Sequence, residues 1–212
     1  MFYQTIQYIA NNQERFDSAL RIHLVLSGVT MLIVILIAVP IGILCAKKKS
    51  FEAPIMNTVN VMKVLPVLVL LVVMLPILGV GFIPALVALL LQAIPIIVIN
   101  THAGFKNINP DIVESAEGMG LSHKRTFWKV ELPLALPLIV TGIRIGAIDV
   151  IAGAMLASYI GAGGLGDFIV SGMDKSNHVL LIVGSVPIAL IAIVVDIILS
   201  LVQRYLSRYQ TS

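Results

Sequence analysis

"VLPVLVLLVVMLPILGVGFIPALVALLLQAIPIIVINTHAGF" runs from Val64 to Phe105 without one Asp, Glu, Lys or Arg. A helix crosses the hydrocarbon core with about 20 such residues, so the run has room for two crossings. The segment "ILGVGFIP" inside it, with Gly79, Gly81 and Pro84, predicts a tight turn between them. Residues 22–46 and 176–195 are equally free of these charges. The whole chain keeps this balance, at 58% hydrophobic and 12% charged, against roughly 25% charged in soluble domains. The class expected is an all-α, multi-pass membrane protein.

Working outward, the runs predict about five spans, at 20–46, 54–78, 82–104, 134–160 and 178–203, in a single transmembrane domain over 1–212. The fourth is preceded by Pro133, carries Pro137 in its first turn, and is interrupted by Gly142, Gly146 and Gly153. Lys47, Lys48, Lys49, Lys106, Lys124, Arg125, Lys129, Arg204 and Arg208 fall on one side of these spans, and only Arg15, Arg21 and Lys175 on the other. Positive loops stay inside, so the central loop and C-terminus are expected in the cytoplasm and the N-terminus outside. The same rule accounts for the basic pI of about 9.1 without a nucleic-acid partner.

The opening "MFYQTIQYIANNQERFDSALR" lacks the basic start of a cleaved leader, and the three lysines follow the first apolar run. Phe2, Ile6 and Ile9 suggest a helix at the membrane interface. Cys45 is the only cysteine, which excludes an internal disulfide and a cysteine metal cluster. The four histidines are scattered, so no metal is expected. A chain of this size is expected to enclose a solute path only with a second subunit.

Residues 106–131 hold eight of the chain's 25 Asp, Glu, Lys and Arg side chains. Asn109 can cap a helix with Pro110 at its first position, and Asp111 and Glu114 suit the positive end of its dipole. Ile112, Val113, Ala116 and Met119 give it an apolar side. Gly118 and Gly120 can end it, and Ser122 can cap a second helix carrying Lys124, Arg125, Phe127, Trp128 and Lys129. A solvated loop accounts for this as well as a docking surface does. The chain's only tryptophan, lying among charges beside Phe127, favours docking.

Glu114-Ser115-Ala116, three residues, Gly120, nine residues, Val130, one residue and Leu132-Pro133 resemble the EAA loop of permease subunits in binding-protein-dependent ABC importers. The family form has Ala where Ser115 stands and Ile where Val130 stands. "KVELPLALPLIVTGIR" and "ASYIGAGGLGDFI" are similar to the permeases of quaternary-amine osmoprotectant importers, over roughly residues 20–205. The second span departs: "VMKVLPVLVL" stands where those relatives carry a Gln-Thr-Ile-Pro-Ser type stretch.

The resemblance implies a permease fold of the methionine-importer type in the plasma membrane of a bacterium, working on betaine, carnitine or choline. It implies that Glu114, Ser115, Ala116, Gly120, Trp128, Leu132 and Pro133 couple to a cytoplasmic ATPase subunit. It further implies a second permease subunit, an extracellular substrate-binding protein and surrounding lipid as partners. The chain has no G-x-x-x-x-G-K-[ST] loop, so ATP and Mg are expected on the partner, with no cofactor on this chain and no catalysis by it.

Gly161, Gly163 and Gly166 satisfy G-x-G-x-x-G, but a dinucleotide site needs a βαβ unit. With Gly164 and Asp167 they are expected to form the turn ending the fourth span, near an outer gate or a docking surface for the binding protein. Arg144, Asp149 and Asp196 are charges at membrane depth, where polar groups are costly. Arg144 and Asp149 lie about 140° apart on a helix, so they do not share a face. Arg144 is expected to snorkel towards the cytoplasm or to pair with another helix, and Asp196 to do the same from the fifth span, in structural pairing before proton relay. Phe82, Phe105, Tyr159 and Phe168 are the chief aromatics available to a quaternary ammonium. The competing expectations are an importer of another small solute, such as methionine, and a proton-coupled carrier.

Overall fold

The computed structural model describes residues 2–207, and among them every regular element is helical. The order is α1 (Phe2–Asn11), α2 (Gln13–Lys47), α3 (Lys49–Met62), α4 (Val67–Leu78), α5 (Phe82–Lys106), α6 (Pro110–Gly118), α7 (His123–Thr126), α8 (Leu132–Leu156), α9 (Gly166–Asp174) and α10 (His178–Ser207). A π-helical turn, Phe127–Glu131, joins α7 to α8, and a 3-10 turn, Ala157–Ile160, follows α8. Arg208, counted in the charge asymmetry, lies outside the described residues, as does the side chain of Phe2.

Four helical stretches are long and apolar enough to cross a membrane, and α3 with α4 makes a fifth if the bent pair is one span. The second span is therefore not the single helix expected over 54–78. It breaks after Met62 and bends by 95°, because Pro66 has no N–H to offer a continuing helix and forces its predecessor towards extended backbone. The pair still runs the length of the bundle. Glu52 near its start bonds Lys106 at the end of α5, whereas Gly81 just beyond its end donates to the Ile160 carbonyl past α8.

The fourth span also differs from expectation. Helix continues from His123 to Ile160, so Pro133 lies within it, and Gly142, Gly146 and Gly153 do not interrupt it. Those glycines let α8 approach α5. A methyl group at Gly142 would stand 2.6 Å from Asn100 Cβ, and one at Gly153 would stand 2.7 Å from Leu89 Cδ2. Small residues permit close approach in this way where no hydrophobic drive separates helix from lipid.

The main core gathers Leu26, Val34, Leu71, Leu89, Ile97, Val98 and Val150 from α2, α4, α5 and α8. A second cluster, with Leu165, Phe168 and Val183, seats α9 and α10 against Ala19 of α2. Phe168 is fully buried, with the Tyr8 ring edge-on at 6.3 Å and the Arg15 guanidinium 5.0 Å from its centroid. It is a core residue, and so is buried Phe105; neither is free to meet a quaternary ammonium. Tyr159 is exposed and Phe82 half-buried.

Candidate functional site

Residues 106–131 form a helix, a sharp turn and the root of the next span. Asn109 Oδ1 accepts from the Asp111 N–H at 3.0 Å, and Pro110 takes the first helical position. The end of α6 is a Schellman turn: the Leu121 N–H donates to the Ala116 carbonyl at 3.2 Å, and the Gly120 N–H to that of Glu117 at 2.9 Å. Gly120 has φ +89°, a region costing a residue with a side chain about 1–2 kcal/mol. No neighbouring atom lies within 4 Å of where a methyl group would stand, so the backbone angle and not crowding at that position selects glycine. Ser122 precedes α7 in extended conformation but makes no side-chain cap bond. Glu117 and His123 pair across the turn instead.

The apolar side of α6 is largely uncovered. Ala116 is buried, but Ile112 is 44% exposed and Met119 76%. With Asp111, Ser115 and Val130 they line an open hollow of about 350 Å³. Glu114 and Ser115 are exposed, and Leu132 and Pro133 half-buried. Trp128 is 59% exposed, its ring edge-on to Phe127 at 5.3 Å. The hollow is open, and the exposed Trp128 indole stands two residues along the chain from Val130 in its lining.

Beneath that surface, Phe127 stacks on Phe105 of α5 with ring centroids 5.7 Å apart and planes 1° from parallel. Lys47 at the end of α2 pairs with Glu131, which is 7% exposed. Glu52 receives His102 and Lys106 at 3.0 and 2.9 Å. In the sequence, Lys47 carries only a topological signal and Glu131 no signal beyond its charge. Their pairing joins positions far apart in the chain and leaves no spacing pattern.

At membrane depth, Arg144 of α8 reaches α10. Its Nε and Nη2 donate to the two carboxylate oxygens of Asp196 at 2.5 and 3.0 Å, a forked geometry. Gln203 extends the network, accepting from Arg144 at 3.4 Å and donating to Thr141 at 2.8 Å. Asp149 makes no ion pair or hydrogen bond among the described residues. The structure thus joins two of the three charges and leaves the third apart.

The glycine-rich turn lies at the far end of the bundle. Gly161, Gly163 and Gly164 all take positive φ, at 74°, 77° and 101°. Gly166 opens α9, a helix the sequence did not suggest, and Asp167 lies in its first turn. A methyl on Gly166 would come within 2.2 Å of the Met155 carbonyl oxygen.

Residues 38–211 match the family described as binding-protein-dependent transport system inner membrane component. The glycine betaine/carnitine/choline transport system permease protein OpuCB of Bacillus subtilis is 38% identical over 86% of this chain and 84% of its own length. The choline transport system permease protein OpuBB of the same organism is 36% identical over 87% of this chain and 85% of its own. The osmoprotectant import permease protein OsmW of Salmonella typhimurium is 34% identical over 96% of this chain and 97% of its own. Among solved structures, an inward-facing MetNI methionine ABC transporter chain superposes with TM-score 0.78 at 22% identity, over 92% of this chain and 98% of that one, a likeness of fold. The chain therefore belongs to the inner-membrane components of binding-protein-dependent ABC importers: it is a multi-pass permease subunit and not itself an enzyme.

Proposed function

We propose that the chain forms, with a second permease subunit, the membrane path of an ATP-driven importer of quaternary-amine osmoprotectants such as betaine, carnitine or choline. The observation that carries the cargo is the set of relatives named for these solutes, alike along most of both chains. The proposed partners are a cytoplasmic ATPase, which holds ATP and Mg, and an extracellular binding protein that delivers the solute.

In this reading the 106–131 segment docks the ATPase. Glu114, Ser115, Gly120 and Trp128 form the contact with Ile112 and Met119, while Ala116, Leu132 and Pro133 fix the helices that present it. The uncovered apolar hollow and exposed indole support the assignment, since aromatic anchors in such surroundings dominate docking energies. Orientation follows: Lys47, Lys106 and the docking segment share one end of the bundle, the cytoplasmic one, and the end of α10 lies towards it, where Gln203 bonds Thr141. The turn with Gly161, Gly163, Gly164, Gly166 and Asp167 then faces outward, towards gate and binding protein. ATP binding moves the path only if the docked ATPase contacts the two states differently.

Uptake into proteoliposomes holding this chain with its ATPase, permease partner and binding protein tests the proposal. ATP-dependent entry of labelled betaine, carnitine or choline is expected. Entry of methionine alone would replace the cargo, and entry that follows a proton gradient without ATP would overturn the mechanism. Gly120→Asp is expected to abolish ATPase association and uptake together.

A further inference from the structure

The last residue of α2 is where three elements of the bundle meet. The Lys47 ammonium pairs with the Glu131 carboxylate, and it lies 5.7 Å from the Phe105 ring centroid and 5.9 Å from that of Phe127. These rings stack on each other. One cation thus touches the end of α2, the end of α5 and both borders of the π-helical turn that roots the 106–131 segment.

The parts of this contact differ in how firmly they hold. Glu131 is nearly dry, and a buried carboxylate without its counter-charge is strongly disfavoured. Wherever Glu131 goes, Lys47 and the end of α2 are drawn with it. The stacked rings add contact area and tolerate sliding, so they allow movement that the ion pair directs. The root itself is a wide turn, with the Leu132 N–H bonding five residues back to the Phe127 carbonyl. In a regular helix the Pro133 ring would clash with the Lys129 carbonyl, and the wider turn relieves this. Such turns interrupt helix regularity and recur at functional positions.

We infer that the Lys47–Glu131 pair, set over the Phe105–Phe127 stack, is the joint that passes movement of the docking segment to the first span. Both are positioning residues, acting through the helices and not on the solute. The inference rests on the reading that residues 106–131 dock the ATPase. Without the joint, movement of the segment reaches only α5 and α8, the two helices it connects. With it, α2 shifts together with them.

The test uses the assembled importer in proteoliposomes, with Lys47→Glu, Glu131→Lys, the double exchange of both, and Glu131→Gln. Three quantities are read: ATPase co-purifying with the chain, ATP hydrolysed with loaded binding protein, and solute imported per ATP. Each single reversal is expected to retain the ATPase and to lose at least tenfold in solute per ATP. The double exchange is expected to recover to within about threefold of the natural chain. Glu131→Gln keeps the volume and removes the charge, so it stands in if a reversal prevents folding; a severalfold loss of solute per ATP is expected.

Wild-type solute per ATP in the single variants, or a double exchange no better than they are, would overturn the inference. Loss of the ATPase from the single variants would overturn it too, making the pair part of the docking surface. Failure of the underlying reading shows elsewhere: Gly120→Asp and Trp128→Ala would then leave ATPase association intact.

Discussion

At the end of the bundle that carries Lys47, helices are joined through side chains: Lys47 to Glu131, Glu52 to His102 and Lys106, and Phe105 on Phe127. At the opposite end backbone contacts add to the packing of Tyr8 and Arg15 on Phe168. Gly81 donates to the Ile160 carbonyl at 2.7 Å, and Gly166 packs its Cα where a methyl would strike the Met155 carbonyl. Side-chain contacts can tilt and slide while they keep their partners, whereas close backbone packing leaves less room to move. In the proposed reading the difference gives the two ends different work: a linkage that adjusts under a docked ATPase, and a seam that holds the turn between spans.

The sharpest way to break this contrast is Gly166→Val. Its side chain has no space against the Met155 carbonyl and Ser158 Oγ, and overpacking of such a site costs about 1–3 kcal/mol or more. The expected result is little folded protein recovered from the membrane, read by yield and by thermal unfolding in detergent. Near-normal recovery would mean that the seam is loose.

Next in size is Trp128→Ala at the adjustable end. Loss of an exposed aromatic anchor typically costs a docked complex about 2 kcal/mol, so ATPase affinity is expected to fall roughly thirtyfold with unfolding unchanged. If stability falls instead, Trp128 is a structural residue and the contrast between the ends narrows.

Between the ends, Arg144→Leu leaves Asp196 without its partner at membrane depth. The thermal midpoint is expected to fall, and the double change Arg144→Leu with Asp196→Leu to recover most of it, since removing both charges leaves nothing unpaired. A double variant no more stable than the single one would mean that the pair contributes little.

The smallest effect is expected from Asn109→Ala. It removes one cap bond, worth about 1 kcal/mol locally, and α6 lies at the surface. Hydrogen exchange over 110–118 is expected to quicken, with global unfolding unmoved. A shift in global stability would place α6 within the cooperative core.

Much of this was legible in the sequence for identifiable reasons. Charge-free runs reveal spans because charge in the bilayer core is costly, and Gly79 and Gly81 mark the turn between α4 and α5. Asn109, Pro110 and Gly120 announce α6 and its end because caps are local chemistry. The break at Pro66 was written there too, but hydropathy across 54–78 outweighed it. Gly142, Gly146 and Gly153 suggested interruption because a glycine's use as a packing surface depends on the helix that lies against it.

The sequence by itself determined that this chain crosses a membrane, about how often, and that a polar helix-turn element separates its third and fourth spans. Those are consequences of solvent and of neighbouring residues. Only the tertiary structure decided that Arg144 takes Asp196 and not Asp149, that Phe168 and Phe105 are core, that the fourth span grows unbroken out of the polar loop, and that Lys47 meets Glu131. Each joins residues distant along the chain, and which of several charges or rings meet depends on how the helices pack. Composition and spacing do not encode that choice.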